Sequence, residues 1–575
     1  MVAEMTASTG RRTATSLALL CALVPAGVAA VCVVNTADAA HDGGVARVLG
    51  IHPTPWRVLD PMAGLLLAAL PLGTLAARAA LGGALVVGAA GVALYSVVTC
   101  LLGLCAETQR LRFIVAAIAT CTALVAGPWQ LEAACVGGSV TGAFVILLAV
   151  GLTARACAKT GEGPWAAAIA ALGLCMGQEP LACASSLGGC AVLVGASPSG
   201  RRALAALWKD RKRWVFGSLI AGLLPFLLAL SRTLAAGPSV PRALGSGWNG
   251  EGGALGVSSL TTFGRAEIGI VLGALAISGI ALGMLVRSAR PLTTALSALI
   301  AIGLVCGSVG APLGPARFGS PLLVAYAAAC ALGAVAMQAA VRAVARMGVP
   351  FARMSAAMIV VLEAALPMAA ADDSLVRCRT HSADSVAVWN DTAFGFLPPK
   401  SVVFVSDRVV FERAAVARAQ GSLRGDLIVL PAFGQGPGGW RPFARDAALV
   451  PLWRDLALSG LPTEASLSSL ASVLPLAMAY DAKWGRAIGR HLVPLALFDG
   501  FEPEPRGASD RRRAFDVYAA SRKRLAAALA DGEPELAAAT IVLLRARALL
   551  MADLAGDRDL AEQAARDVNA FEPRR

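Results

Sequence analysis

Between Thr13 and Ala371 the chain is a succession of apolar runs separated by short polar or basic breaks. Each run is about 15–24 residues long, close to the length at which a helix crosses a bilayer. They cover 13–34, 80–103, 111–127, 139–155, 164–178, 180–197, 214–232, 268–286, 292–310, 320–343 and 352–371. In hydrocarbon a single segment satisfies its backbone only as a helix. The pattern therefore predicts an α-helical polytopic membrane protein of about eleven spans, with the short 164–197 pair partly re-entrant. The first run follows Arg11-Arg12 and is long, which predicts a retained helix rather than a signal peptide.

The charge distribution sets the other boundary. Of 87 Asp, Glu, Lys and Arg residues, 36 lie in the first 371 positions and 51 in the last 204. About a quarter charged is the ordinary soluble figure, and only the second part reaches it. We therefore expect a membrane domain over 1–371, a soluble α/β domain over 372–507 and a helical region over 508–575. This division excludes an ordinary cytosolic enzyme and a disordered chain. The net charge of +13 comes largely from basic loops between apolar runs, the orientation signal of a membrane protein rather than a nucleic-acid footprint. Thirteen Cys without a CxxC pair and only four His argue against a disulfide framework, a zinc site or histidine-rich metal chemistry.

Arg110/Arg112, Arg155/Lys159, Arg201-Arg202 with Lys209–Arg213, Arg287/Arg290 and Arg342/Arg346/Arg353 should all be cytoplasmic. They are mutually consistent only if the apolar segment 56–78, interrupted at Asp60-Pro61 and Pro71-Leu72-Gly73, lies on the outer face without crossing. The alternative is that it spans and another segment does not. On the first reading the N-terminus is inside and the C-terminal part outside. The outer face then collects His41, Asp42, Arg47, His52, Trp56, Arg57, Asp60, Trp129, Glu132, Glu179, Arg242, Trp248, Glu251 and Arg317. Arginine pairs with phosphate, aromatic rings stack on sugars or anchor at the interface, and a carboxylate can act as a base. Such a face suits a lipid-linked phosphate, although each Trp or Arg taken singly also suits an interfacial anchor.

The segment from Asp42-Gly43-Gly44 through Leu49-Gly50, His52-Pro53 and Leu70-Pro71-Leu72-Gly73 to Arg78 resembles the opening of the DUF2723 family. That family is similar to transmembrane protein O-mannosyltransferases of the GT-C glycosyltransferase superfamily. Weaker likenesses follow in order: Gly127-Pro128-Trp129 with Phe144, Gly173-Leu174 with Gly177-Gln178-Glu179, Trp248-Asn249-Gly250, Leu397–Asp407 and Arg424–Val429. Val45, Val136, Gly138 and Glu179 stand where the family pattern has Glu, Glu, Tyr and His, so this is a divergent member on that reading.

The resemblance implies transfer of a mannose-like sugar from a polyprenyl-phosphate donor to a protein or glycan hydroxyl at the outer membrane face. It implies Asp42 as the base, with His52, Arg47, Arg78, Trp129, Glu179 and Trp248 as substrate-binding candidates. The residues leave other readings for them: a turn for Asp42, a loop position for His52, anchoring or snorkelling for Arg47 and Arg78, and a structural tip for Glu179. No cofactor is firmly implied beyond the lipid-linked donor, and a divalent metal stays open. The alternatives are a catalytically degenerate membrane scaffold and a transporter of a lipid-linked or small solute. Spans nearly free of charge apart from Glu363 disfavour an ion-coupled carrier. The location expected is the cytoplasmic (inner) membrane of a bacterium, multi-pass, with the bilayer and the lipid-linked donor as partners and no nucleic acid.

Beyond 371, SVVFVS at 401–406 and DLIVL at 426–430 flank a helical pattern, which predicts a β-α-β unit and a small parallel sheet. Gly434–Gly439 reads as a flexible loop, not a phosphate-binding loop. Asp407 and Asp426, at strand ends, read as turn residues, with a functional role as the alternative. Arg511–Leu529 reads as one amphipathic helix; Glu533–Ala555 and Leu560–Phe571 resemble a single tetratricopeptide-like hairpin and a candidate protein-contact surface.

Overall fold

The computed structural model describes residues 2–36, 55–59, 75–105, 109–134, 139–158, 162–235, 240–245, 263–309, 318–347, 352–379, 383–432, 443, 446–479, 481–530, 534–554 and 558–571. The membrane part is a helical bundle. Its helices are Val2–Thr36 (α1), Leu75–Cys105 (α2), Gln109–Val125 (α3), Gly127–Ala134 (α4), Val140–Ala158 (α5), Glu162–Met176 (α6), Pro180–Ala196 (α7), Pro198–Asp210 (α8), Lys212–Ala235 (α9), Val240–Gly245 (α10), Gly269–Leu285 (α11), Arg290–Val309 (α12), Ser320–Ala345 (α13) and Ala352–Arg379 (α14). A helix thus falls on each of the eleven apolar runs.

Length and apolarity sort them further. Among the described residues six helices are long and apolar enough to cross a membrane, or up to eight if each of two bent pairs counts as one span. Part of the difference from eleven comes from helix length and bending. Gly163–Met176 and Gly269–Leu285 fall short of a full span, for which about 20 residues are needed. The run expected at 111–127 bends by 55° into α4, and α7 turns by 108° into α8. Both breaks come just before a proline, Pro128 and Pro198, which leaves the preceding turn without a continuing backbone donor. The surface segment expected at 56–78 lies largely outside the described residues; its last four residues begin α2.

Helix α13 runs through the middle of the bundle and is buried along almost its whole apolar length, whereas α9 is almost wholly exposed. Large apolar side chains stay exposed on the outward helices, among them Leu224, Ile270 and Leu362, as lipid-facing positions do. Close crossings rest on glycine. A Cβ on Gly83 would run into the carbonyl of Ala133, one on Gly91 into that of Cys21, and one on Gly279 into that of Leu332. These contacts join α2 to α4 and α1, and α11 to α13, as small residues allow where hydrocarbon supplies no hydrophobic drive.

Among the described residues the C-terminal part holds a five-stranded sheet in the order β2-β1-β3-β5-β4. Its strands are Val402–Val405 (β1), Ile428–Pro431 (β2), Leu476–Met478 (β3), Leu492–Pro494 (β4) and Asp499–Phe501 (β5). The expected β-α-β unit is present: β1 pairs parallel with β2, and Arg408–Ala419 lies between them. The sheet is mixed rather than parallel, because β5 runs antiparallel to both β3 and β4. The two strands foreseen are β-branched; the other three have three residues each and no such signature.

Alternate residues of β1 feed opposite cores, as the pleat requires. Val403 and Val405 join Trp389, Phe498, Leu525 and Leu543, whereas Val402 and Phe404 join Phe443, Leu452, Phe515 and Met551. Both cores therefore draw on residues before and after 507. The single helix expected at 511–529 is two, Ala508–Val517 and Ala519–Ala530, because Tyr518 leaves helical geometry at φ −99° and ψ 9°. The expected hairpin corresponds to the packed helices Pro534–Leu554 and Arg558–Phe571.

Two aspartates foreseen as turn residues act so. Asp407 caps the helix after β1 by accepting from Val410 N at 3.0 Å, and burial raises its pKa against that bond. Asp426 accepts from Lys400 N at 2.8 Å and from Arg424 Nη2 at 2.7 Å. The loop at 434–439 lies outside the described residues.

Candidate functional site

At one end of the bundle the starts of α5, α7 and α13 meet around two buried carboxylates. Glu132, near the end of α4, is wholly buried. Its Oε2 accepts from Ser139 N at 2.9 Å and its Oε1 from Phe318 N at 2.7 Å. One side chain thereby serves the backbone leading into two helices, where unpaired N–H groups favour a negative charge.

Glu179 precedes α7 and has Pro180 after it, so the chain leaves the α6–α7 tip extended, at φ −149° and ψ 145°. Its Oε1 lies 2.7 Å from Arg57 Nη2, with the two side chains 6% and 3% exposed. Its Oε2 lies 3.0 Å from Ser320 Oγ, which is also 2.9 Å from Ser139 O. A hydroxyl has a single proton, so Ser320 shares it between the two acceptors. The chain Arg57–Glu179–Ser320–Ser139–Glu132 thus joins five segments through direct hydrogen bonds.

Arg57 is further fixed through its backbone. Its N–H donates to Gln178 O at 2.9 Å, and its φ of +57° is left-handed. A non-glycine residue there costs on the order of 1–2 kcal/mol and persists where its surroundings over-determine it. Beside it, Trp56 packs on Phe226 with ring centroids 5.2 Å apart and donates its indole N–H to Leu244 O at 3.2 Å. Residues 56–58 therefore touch the α6–α7 tip, α9 and α10.

The other expected site residues are placed as follows. Trp129 is wholly enclosed, its indole N–H donating to Leu323 O at 3.1 Å, so its ring packs α4 against α13. Arg78 is half-buried in the first turn of α2. Asp42, Arg47, His52 and Trp248 lie outside the described residues. Sequence reasoning put Arg57 and Glu132 on the same face as Glu179 without assigning them a role, and it missed Ser139 and Ser320. The signal available was the scarcity of charge near span ends, where a buried ion needs a partner; nothing in two serines marks them as that partner.

The architecture is shared with solved membrane-protein structures. The chain is similar to the crystal structure of ArnT from Cupriavidus metallidurans bound to undecaprenyl phosphate, with a TM-score of 0.50 and 15% identity over 80% of this chain and 93% of that one. It is similar also to ArnT from the same organism in the apo state, with a TM-score of 0.50 and 14% identity over 87% of this chain and 97% of that one. The likeness establishes an ArnT-like, GT-C-type fold. No family model matches the chain, and no curated protein matches it.

Proposed function

We propose that this protein is a membrane glycosyltransferase that takes a sugar from a polyprenyl-phosphate donor. The observation carrying this is the ArnT-like fold, which extends over nearly the whole of a neighbour bound to undecaprenyl phosphate. The ordered motifs between Asp42 and Val429 support a divergent relationship to the DUF2723 group, and with it a mannose-like sugar and a protein or glycan hydroxyl as acceptor. The basic loops support a multi-pass protein of the cytoplasmic membrane, with N-terminus inside and both the site and the C-terminal domain outside.

Asp42 is the base in this reading. The acceptor hydroxyl attacks the anomeric carbon and its proton passes to the Asp42 carboxylate. The new glycosidic bond forms as the bond from sugar to phosphate breaks, and polyprenyl phosphate leaves. Arg47 and Arg78 offset the charge on the departing phosphate, while His52 and Trp248 hold the sugar. The two buried acids at the bundle end are already occupied, Glu132 by two backbone donors and Glu179 by Arg57 and Ser320. That occupation favours the first-loop acid for proton transfer. Glu179 and Trp129 have a supporting rather than a direct role in this reading.

The test is sugar transfer by the full chain from a panel of polyprenyl-phosphate sugars, compared with Asp42→Asn. Transfer lowered by about 10²–10⁴-fold in the variant is the expected result. Robust transfer that the variant leaves unchanged removes Asp42 as base, and no transfer from any donor favours the scaffold reading.

A further inference from the structure

Between Arg201 and Arg213 the chain carries six cations, Arg201, Arg202, Lys209, Arg211, Lys212 and Arg213, against one carboxylate, Asp210. All seven side chains are exposed. The segment that bears them is held at a fixed angle. Helix α8 leaves α7 at 108°, with Ser197 Oγ accepting from Gly200 N at 3.1 Å. Ser199 Oγ donates to Cys157 O, at the end of α5, at 3.1 Å. A helix nearly perpendicular to an apolar bundle helix runs along the membrane surface rather than through it.

Helix α8 is two-sided. At about 100° per residue, Ala203, Leu204, Leu207 and Trp208 fall in one sector and Arg202 and Lys209 in the opposite one. Ala203, Leu204 and Leu207 are half-buried, whereas Trp208 is 55% exposed. The elbow into α9 then gathers aromatic rings beside the cations. On a straight helix, residues eight apart are separated by about 12 Å along the axis. Arg211 leaves helical geometry at φ −134° and ψ 31°, and Trp208 packs on Phe216 with ring centroids 5.6 Å apart. Lys209, Arg211, Lys212 and Arg213 thus sit on the stretch of chain that joins two touching rings. Trp214 beside them is 59% exposed, and α9 continues with Ile220, Leu224 and Leu228 outward.

We propose that the elbow of α8 and α9 binds an anionic phospholipid. Its phosphate pairs with the exposed Arg213 guanidinium, and Lys209 and Lys212 add attraction for a net negative headgroup. The indoles of Trp208 and Trp214 lie at the headgroup level, where an amphipathic ring is favoured, and the acyl chains follow the oily face of α9. Surface binding of this kind grows with both buried apolar area and the attraction of cations to anionic lipid. A zwitterionic lipid brings an ammonium into a field already strongly positive. A free phosphate or a water-soluble polyanion leaves the exposed rings and α9 unanswered.

The test is contact quenching of the full chain in phosphatidylcholine bilayers that contain brominated phosphatidylglycerol or brominated phosphatidylcholine. The signal is the part of the tryptophan fluorescence that Trp208→Phe/Trp214→Phe removes, which isolates the elbow from the other tryptophans. No sugar transfer is read, so the outcome is separate from that of the transfer assay. One Lys or Arg near an anionic surface is worth about 5-fold in binding, so phosphatidylglycerol should be preferred at the elbow by at least about 3-fold. Raising the salt from about 0.1 M to about 1 M shortens the screening length from about 10 Å to about 3 Å and should at least halve that preference. Lys209→Gln/Lys212→Gln/Arg213→Gln should abolish it. Basic loops also set orientation, so Lys209→Arg/Lys212→Arg, which keeps the charges, should retain it. The proposal fails if the two lipids quench alike in the wild type at the lower salt, or if the preference is unchanged in the triple variant. Where the triple variant does not insert, a preference unchanged at the higher salt overturns it instead.

Discussion

Arg57 and Glu179, 122 residues apart, form a 2.7 Å ion pair with both side chains almost fully buried. The pair ties the short 55–59 segment, which leads out of the first loop, to the tip between α6 and α7. A buried charge that loses its partner is destabilising by about 3–5 kcal/mol. Glu179→Ala should therefore lower the melting temperature of the detergent-solubilised protein clearly, and Arg57→Met/Glu179→Met together should restore part of the loss. A double variant no more stable than the single one would show that the pair is not the source of the effect.

The crossing of α11 and α13 depends on Gly279, where a Cβ would strike the Leu332 carbonyl. Gly279→Val should separate the two helices, at a cost of at least about 1–3 kcal/mol from overpacking. The readout is the fraction of protein that elutes as a single symmetric peak in size-exclusion chromatography. Gly163→Ala, at a position where a Cβ meets nothing, should elute as the wild type does.

Asp426 is held to a pKa of about 2 by the Arg424 guanidinium beside it, helped by the Lys400 N–H. In the unfolded chain an aspartate titrates near about 3.9. The folded state binds the proton less readily, so the contribution to stability is complete above about pH 4 and lost as the pH falls toward about 2. The melting-temperature difference between wild type and Asp426→Asn should thus shrink steadily from pH 5 to pH 2. A difference that holds constant over that range would contradict the assignment.

Arg547 donates from Nε to Asp499 Oδ1 at 2.9 Å and from its other nitrogens to Ala496 O and Phe498 O. It thereby fastens the 534–554 helix to β5 and the turn before it. Burial raises the Asp499 pKa and the arginine opposes that shift. Arg547→Ala should cost about 3–5 kcal/mol through the stranded carboxylate, seen as a loss of β5 protection in hydrogen exchange.

The membrane helices were legible because hydrocarbon forces a long apolar run into one conformation, and Thr13–Val34 or Leu322–Val341 has no other way to satisfy its backbone. The bends at Ala126 and Ser197 were less so, although Pro128 and Pro198 stood beside them. In the sheet, Val402–Val405 announced itself by β-branched residues, while Leu476–Met478 is equally compatible with a helix and becomes a strand only by pairing with β1. At the bundle end the charges were conspicuous through scarcity. Their pairing was not, since Arg57 and Glu179 meet only after the helices between them in the chain have packed.

The contrast between the enclosed α13 and the outward α9 bears on how the gene can drift. At the outward positions of Lys212–Ala235, such as Ile220, Leu224 and Leu228, lipid tails ask only for oiliness, so leucine, isoleucine and phenylalanine can replace one another there at little cost. Ser320–Ala345 is surrounded by other helices, and its runs of alanine are matched in volume to the neighbours they touch. Across orthologues the first should keep its hydropathy and lose its identity, whereas the second should keep its letters.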